Sequence, residues 1–206
     1  MSRIVIGIDQ SYTRTGITVL EDKKLLKMYS IDFTRCKNNY DKRKDFRSVL
    51  ESILNELLRE YKPIEIKCII ERIRTFSGGH MSSQYLITTG GLIVTILDVF
   101  LAHNIKVYSV ETSSWKTQVV GTNKPKENKY GINPNKYPTI LYLKQKGLLK
   151  YIAEEYKGRG KKGVINIKIG AEKVPCKIND DLADSYCIAM YGFLPKTKQK
   201  LKEEKF

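Results

Sequence analysis

The chain has 206 residues and a formal net charge of +15, from 37 Lys and Arg against 22 Asp and Glu. One domain of this length buries most of its surface, so it needs neither a disulfide framework nor a structural metal. The positive charge favours a polyanionic partner, with DNA or RNA ahead of an acidic membrane surface. An ordinary basic soluble protein is the alternative.

The composition also bears on metals and on compartment. The four cysteines lack metal-binding spacing and there are two histidines, which argues against zinc. The chain reaches Asp9 too soon for a signal peptide, and its most apolar stretch, residues 92–102, is too short to cross a bilayer. We therefore expect a soluble, cytoplasmic protein without a membrane partner.

Three strands and a long helix open the predicted fold. Residues 4–8 form a near-continuous apolar run, which is typical of a strand covered on both faces. Residues 16–20 and 25–31 are predicted strands joined by a charged turn. Apolar residues then recur at helical spacing over residues 41–61, and Pro63 lies just beyond the end of this helix.

Strands and helices alternate in the middle of the chain. Residues 66–71 and 105–110 are the fourth and fifth predicted strands. The helix predicted between them, residues 83–103, is apolar on every side over residues 92–101. Such a stretch cannot face water, so we expect one side to cover the sheet and another to cover a partner chain. A short capped helix is predicted over residues 113–120.

Basic segments dominate the last third. Residues 122–134 predict a basic loop, and residues 137–156 predict a helix. Two short strands are predicted at residues 164–169 and 173–177, as a small hairpin. The last helix is predicted over residues 180–193.

This order of elements predicts one mixed α/β domain, residues 1–194, with an insertion at residues 124–178. In its five-stranded sheet, the first three strands are antiparallel neighbours and strands one, four and five are parallel. The charged tail, residues 195–206, is expected to be disordered and solvated.

Four acids stand where these elements end. Asp9 and Glu71 close the first and fourth strands, at the carboxyl ends where such sheets bind ligands. Asp181 and Asp184 are about one helical turn apart, so they project to the same side of the last helix. Singly, each acid is more simply explained as a turn residue, a helix-capping acid or half of an ion pair with a neighbouring arginine.

Taken together, the four acids predict a divalent metal site. Two carboxylates about 4 Å apart repel by roughly 4 kcal/mol at an effective dielectric constant near 20. A fold keeps such a cluster only if a cation neutralises it, and oxygen-only ligands select Mg²⁺ or Mn²⁺. Two such ions can activate a water and stabilise the leaving oxygen in phosphodiester hydrolysis.

Four segments carry a resemblance to a known family. They are GIDQS at residues 7–11, IIE at 69–71, WKTQVVG at 115–121 and DLADSYCIA at 181–189. In this order they resemble the RuvC family of Holliday-junction resolvases, which are dimeric nucleases of the ribonuclease-H-like fold. The divergent, compact chain looks more like a phage-encoded member, which would act in the cytoplasm of a bacterial host.

The resemblance implies a role for five residues. Asp9, Glu71, Asp181 and Asp184 match the family's four metal-binding acids, and Lys116 matches a catalytic basic residue near the scissile phosphate. It also implies paired nicks in branched DNA by a homodimer whose twofold axis matches that of a four-way junction. The predicted helix at residues 83–103 is our candidate interface.

Further residues are expected to bind nucleic acid. By resemblance, Lys124 lies in the loop where a second catalytic lysine is expected, and Phe76 is nearest to the aromatic residue that the family inserts into the junction. Tyr85 is expected either to stack on a base or to pack in the core. Basic residues beside the predicted site are expected to contact phosphates; they are Arg72, Arg74, Lys126, Lys129, Arg159, Lys161 and Lys162.

Two alternatives stay open. One is ribonuclease H-type cleavage of RNA–DNA hybrids by the same fold, and the other is a basic nucleic-acid-binding protein without activity. A sugar-kinase or actin-like ATPase also opens with a Gly-Ile-Asp strand. It needs two such domains and a nucleotide-binding glycine motif, for which this chain is too short.

Overall fold

A computed structural model describes most of the chain. The ranges with described side chains are residues 2–11, 13–61, 65–73, 83–127, 133–148 and 180–204. For residues 152–157 and 161–166 only the backbone is described.

One mixed sheet of eight strands organises the fold. Its strands are β1 (Arg3–Asp9), β2 (Arg14–Glu21), β3 (Lys24–Asp32), β4 (Glu65–Glu71), β5 (Lys106–Val110), β6 (Ile152–Lys157), β7 (Lys161–Asn166) and β8 (Lys202–Glu203). They lie in the order β7-β6-β3-β2-β1-β4-β5-β8. The pairs β1–β2 and β2–β3 are antiparallel, whereas β4 is parallel to both β1 and β5. The predicted arrangement of the five central strands is confirmed.

Helices cover both faces of this sheet. They are α1 (Asn39–Tyr61), α2 (Ser83–Ala102), α3 (Thr112–Trp115), α4 (Tyr137–Gln145) and α5 (Asp180–Tyr191). A π-helical turn, Lys116–Val120, continues α3. One core lies between the sheet and the pair α1–α2, and a second core lies between the sheet and α5 with α4. Both cores are built from the apolar runs and stripes noted in the sequence.

Helix α2 is buried on one side and exposed on another. Leu92, Ile96 and Phe100 are buried in the first core, while Val94 and Leu101 are exposed. By length and composition alone, the 20 residues of α2 could cross a membrane. The most apolar part of the helix, residues 92–102, is too short to do so by itself. Here its buried side packs against α1 and the sheet.

The prediction for residues 137–156 was wrong. Helix α4 ends at Gln145, because Gly147 adopts a left-handed backbone (φ +69°) that interrupts an α-helix. The chain then forms β6, which pairs in parallel with the otherwise unpaired edge of β3, and β7 completes a hairpin with β6. The predicted hairpin at residues 164–169 and 173–177 is therefore displaced, and residues 167–179 lie outside the described part.

The prediction of a disordered tail was also wrong for residues 195–204. A 3₁₀ turn, Lys196–Lys198, is followed by β8, which pairs antiparallel with β5. The side-chain amide of Gln199 donates to backbone oxygens of Tyr191, Gly192 and Leu194 at the end of α5. The Gln199 amide adds to the Leu194 N–H at the Tyr191 carbonyl and to the Arg3 guanidinium at the Gly192 carbonyl, so the tail closes the end of α5.

Candidate active site

The site begins with the close approach of α5 to the sheet. A Cβ atom added to Gly7 would overlap the backbone of Ser185, and one added to Gly16 would overlap the backbone of Asp181. Glycine at these two strand positions therefore lets the helix lie directly on β1 and β2. The hydroxyl groups of Thr18 and Ser185 are 2.8 Å apart, and this hydrogen bond fixes the rotation of α5. Its acidic side consequently faces the carboxyl end of β1.

The structure brings the four predicted acids into one electrostatic group. Asp9 and Asp184 are buried, with 8% and 3% of their surfaces exposed. Burial raises the pKa of Asp9 well above its ordinary value, and the charges of Asp184 and Glu71 raise it further. Burial, followed by the adjacent charge of Asp180, raises the pKa of Asp181 to about 7. Like charges removed from water explain both shifts.

Neutral donors orient Glu71. Its Oε1 atom accepts a hydrogen bond from the Thr112 hydroxyl at 2.6 Å, and its Oε2 atom accepts one from the Trp115 indole at 3.2 Å. Burial raises the pKa of Glu71, although these two hydrogen bonds oppose the shift. The side-chain amide of Gln10 donates to the Glu71 carbonyl, which ties the end of β4 to the loop after β1.

Lys136 is the residue that sequence reasoning missed. Its Nζ atom lies 2.7 Å from Asp184 Oδ2 and 3.5 Å from Asp180 Oδ2. Burial alone would lower the pKa of Lys136, but the charges of Asp184 and Asp9 raise it overall. The only signal in the sequence is the position of Lys136 between the predicted basic loop, residues 122–134, and the predicted helix, residues 137–156.

The oxygen donors suit a divalent cation, although they are not yet arranged around one. Within the described ranges, no three His, Cys, Asp or Glu side chains are grouped closely enough to hold one ion. Yet Asp184 Oδ1 and Gln10 Oε1 are both buried without a hydrogen-bond partner. Unpaired buried acceptors beside like-charged acids are what a hard cation would satisfy. Binding one would require Lys136 to withdraw from Asp184.

A cleft of about 410 Å³ opens beside the acids, and Gln10, Glu71 and Asn135 are among the residues that line it. Two of the predicted basic residues, Lys116 and Arg72, line it as well.

Lys116 and Arg72 both have partners other than the four predicted acids. The Lys116 ammonium donates to the Asn135 carbonyl at 3.0 Å and lies 5.3 Å from the centre of the Trp115 ring. Arg72 pairs with Glu111 at 3.3 Å and not with Glu71, while Arg74 lies outside the described residues.

The remaining predicted residues are placed less fully. Tyr85 also lines the cleft. Lys124 and Lys126 are exposed in the loop that follows the π-helical turn. Lys161 and Lys162 are on β7, of which only the backbone is described. The described part does not include Arg74, Phe76, Lys129 or Arg159. The DNA-binding roles of all these residues stay predictions.

Comparison with known proteins gives a fold. No protein-family model and no curated protein matches the sequence. RuvC of T. thermophilus, in a complex with a Holliday-junction substrate, superposes with a TM-score of 0.56 at 13% identity, over 98% of this chain and 99% of that chain. A second structure of Thermus thermophilus RuvC gives 0.53 at 15% identity, over 91% of both chains. The expected resemblance to RuvC is thus confirmed as a shared fold.

Proposed function

We propose that this protein is a divalent-metal-dependent endonuclease that resolves four-way junctions and other branched DNA by paired nicks. The observation that carries the proposal is the group of buried acids at the carboxyl end of β1 and β4, beside a cleft lined by Lys116 and Arg72. Acids that raise one another's pKa are costly in a fold and are typical of functional sites. Cations at the rim of the same cleft suit a phosphodiester as the substrate.

The proposed roles follow from the contacts. Asp9, Glu71, Asp181 and Asp184 would hold Mg²⁺, with Mn²⁺ as a substitute. When bound, the cations would supply water activation and stabilisation of the leaving oxygen. Lys116 is held in the cleft by Asn135, where its ammonium would contact a phosphate beside the bond that breaks.

Lys136 has two proposed roles at different stages. Without metal, its ammonium offsets the repulsion among the acids through its ion pairs with Asp184 and Asp180. Once metal takes over that function, Lys136 would be free to donate to a DNA phosphate. Its position immediately before α4 leaves the side chain 30% exposed, within reach of the cleft.

A homodimer through α2 belongs to the same proposal. Four apolar side chains on α2 are exposed, and they are Leu86, Ile87, Val94 and Leu101. Gly90 lies among them, and a Cβ atom there would meet nothing within 4 Å, so another helix could approach closely. The proposed partner is a second copy of the chain, because a twofold dimer presents two identical sites to a twofold junction. The interface then includes more of the amino-terminal half of α2 than the sequence alone indicates.

The dimer is tested with Ile87→Arg, alone and with Val94→Arg. We expect the parent to sediment as a dimer and the variants as monomers at micromolar concentration, because an unpaired charge disrupts an apolar interface. On a supercoiled plasmid with an extruded cruciform, the parent would give linear product and the monomers nicked circles. A monomeric parent would remove the dimer from the proposal and leave the single-site chemistry standing.

The central experiment compares a synthetic four-way junction, a linear duplex and an RNA–DNA hybrid, each with Mg²⁺ and with EDTA. We expect cleavage of the junction alone and only with metal. Preferential cleavage of the hybrid would instead support ribonuclease H-type activity. Junction binding without cleavage under every metal condition would support the inactive binding protein.

A further inference from the structure

The carboxyl-terminal tail, residues 195–204, is anchored to the end of α5. The hydroxyl of the buried Tyr191 donates to the carbonyl of Lys198 at 3.3 Å and accepts from the N–H of Lys200 at 2.7 Å. Gln199 caps α5 between these two residues. All contacts of the two lysines with Tyr191 use backbone atoms, so their side chains play no part in holding the tail.

The anchored tail encloses a cavity of about 220 Å³ against α3 and the π-helical turn. The residues around it carry hydroxyl, amide or ammonium groups, and they are Ser113, Ser114, Thr117, Gln118, Tyr191, Lys198 and Lys200. Ser113 also lines the cleft beside the acids. The two depressions therefore adjoin each other, on either side of one residue.

The cavity carries positive charge that no acid balances. Lys198 and Lys200 are exposed, and within the described part of the chain no carboxylate lies within ion-pair distance of either ammonium group. The acids of the tail face the other way: Glu203 pairs with Lys106 at 3.4 Å, and Glu204 accepts from the Ser109 hydroxyl at 2.5 Å. The tail thus has one side that binds the sheet and another that presents cations.

We propose that this cavity is a second phosphate-binding surface, which holds the sugar–phosphate backbone of a DNA arm as it leaves the active site. The inference rests on the proposed function, because it requires DNA in the adjoining cleft. Ammonium, hydroxyl and amide groups all donate to phosphate oxygens, and such contacts position DNA without reading its sequence. The one ring in the lining, Tyr191, is buried and hydrogen-bonded, so it offers no stacking surface for an unpaired base.

The test is the double variant Lys198→Gln/Lys200→Gln, bound to a four-way junction in Ca²⁺ or EDTA over a series of salt concentrations. Each lost phosphate contact lowers the slope of log affinity against log salt by about 0.9, so we expect a fall of about 2. If the two proteins bind equally at 1 M salt, this difference in slope corresponds to a loss of affinity of up to about 60-fold at 0.1 M. The single-turnover cleavage rate at saturating enzyme should stay within about twofold of the parent, because neither lysine touches the acids.

The matched control is Lys24→Gln/Arg59→Gln, which removes the same charge from exposed positions at the opposite end of the sheet. We expect less than about a threefold loss of affinity and an unchanged slope. Equal losses in both double variants would mean a general charge effect and would overturn the inference.

Other outcomes separate the inference from the function on which it rests. If the parent binds and cuts junctions while Lys198→Gln/Lys200→Gln binds with the parent's slope, the inference fails and the proposed function stands. If the double variant binds normally but cuts slowly at saturation, the lysines act in chemistry and the inference is wrong. If the parent fails to bind any branched DNA, both fall together.

Discussion

The two ends of the central parallel strands hold their charged residues in opposite ways. At the amino end, Arg3 and Lys67 both approach Glu65, at 3.4 Å and 3.6 Å, and Glu65 is half exposed. At the carboxyl end, Asp9 and Asp184 are buried and carry the same charge. At the amino end two cations pair with one half-exposed acid, whereas at the carboxyl end one ammonium group, Lys136, faces several buried acids, whose remaining repulsion a metal ion or a proton would relieve.

The difference shows where to look for chemistry in a basic protein. Glu65 is half exposed, and ion pairs open to solvent contribute about 0–1 kcal/mol each, so Glu65→Gln should have a small effect. Buried acids of like charge violate the ordinary rules of a stable core, and such local violations mark functional sites. Each prediction below sets a substitution at the carboxyl end against one at the amino end, or changes the charge that separates them.

The largest expected effect is on cleavage. Asp9→Asn should lower the single-turnover rate on a four-way junction by at least about 10³-fold, because losing a metal ligand removes several kcal/mol of transition-state stabilisation. Junction binding should be kept, since fewer negative charges face the phosphates. Glu65→Gln at the amino end is the control and should cleave within about twofold of the parent. Comparable losses in the two variants would remove the distinction between the ends.

The next effect is stabilisation by metal. Mg²⁺ at about 100 times its Kd should stabilise the folded parent by about 2.7 kcal/mol, or about 5–10 °C in Tm for a chain of this length. Asp9→Asn should melt above the parent in EDTA, because it relieves repulsion, and should gain less from Mg²⁺. The reference is NaCl at equal ionic strength, in which Glu65→Gln should behave like the parent. A lower Tm for Asp9→Asn in EDTA would mean that Asp9 is structurally paired.

These contrasts also explain which parts of the site could be predicted. Asp9 and Glu71 end apolar strands, and the spacing of Asp181 and Asp184 places them on one side of a helix, so local sequence patterns indicate these positions, although the choice of Asp181 over Asp180 rests on the resemblance. The π-helical turn that carries Lys116 follows a short helix that the sequence also indicated. In each case near neighbours in the chain predict the element that carries the side chain, whereas distant residues such as Thr112, Trp115 and Asn135 orient it.

The rest could not be predicted because it depends on distant partners. Lys136 meets Asp184 across 48 residues, and no local pattern in the insertion between them predicts that contact. Gln199 looks like one polar residue in a charged tail, and its capping role appears only when the carbonyl groups of α5 are in place. Gly147 alone does not predict a strand after α4, because the parallel pairing of β6 depends on the free edge of β3.

Lys136→Gln tests the cation that pairs with Asp184 at the carboxyl end. Removing half of a buried ion pair costs about 3–5 kcal/mol. Because 30% of the Lys136 side chain is exposed, we expect a smaller loss of stability of about 2 kcal/mol. This corresponds to a fall of about 4–8 °C in Tm in EDTA. The gain in Tm from Mg²⁺ should then exceed that of the parent, because metal no longer competes with the ammonium group. Lys106→Gln is the amino-end control, with an expected change below about 2 °C, because its side chain is 63% exposed in its pair with Glu203. An unchanged Tm for Lys136→Gln would show that its ion pairs contribute no stability.

The smallest effect is the dependence of stability on pH without metal. The pKa of Asp181 is about 7 in the folded protein against an ordinary value of 3.8, so the folded state holds this proton over a pH range in which the unfolded state has lost it. Its stabilising contribution is complete below pH 4 and is lost as the pH rises through 7, and the raised pKa of Asp9 acts in the same direction. Lowering the pH from 8 to 6 in EDTA should therefore raise the free energy of unfolding by about 1 kcal/mol, or about 2–4 °C in Tm.

Asp181→Asn should flatten this dependence, and saturating Mg²⁺ should reverse it, because metal binds only the ionised carboxylates. If the Tm of the parent in EDTA instead falls between pH 8 and pH 6, the carboxyl end is neutralised by internal ion pairs, like the amino end, and the contrast between them disappears.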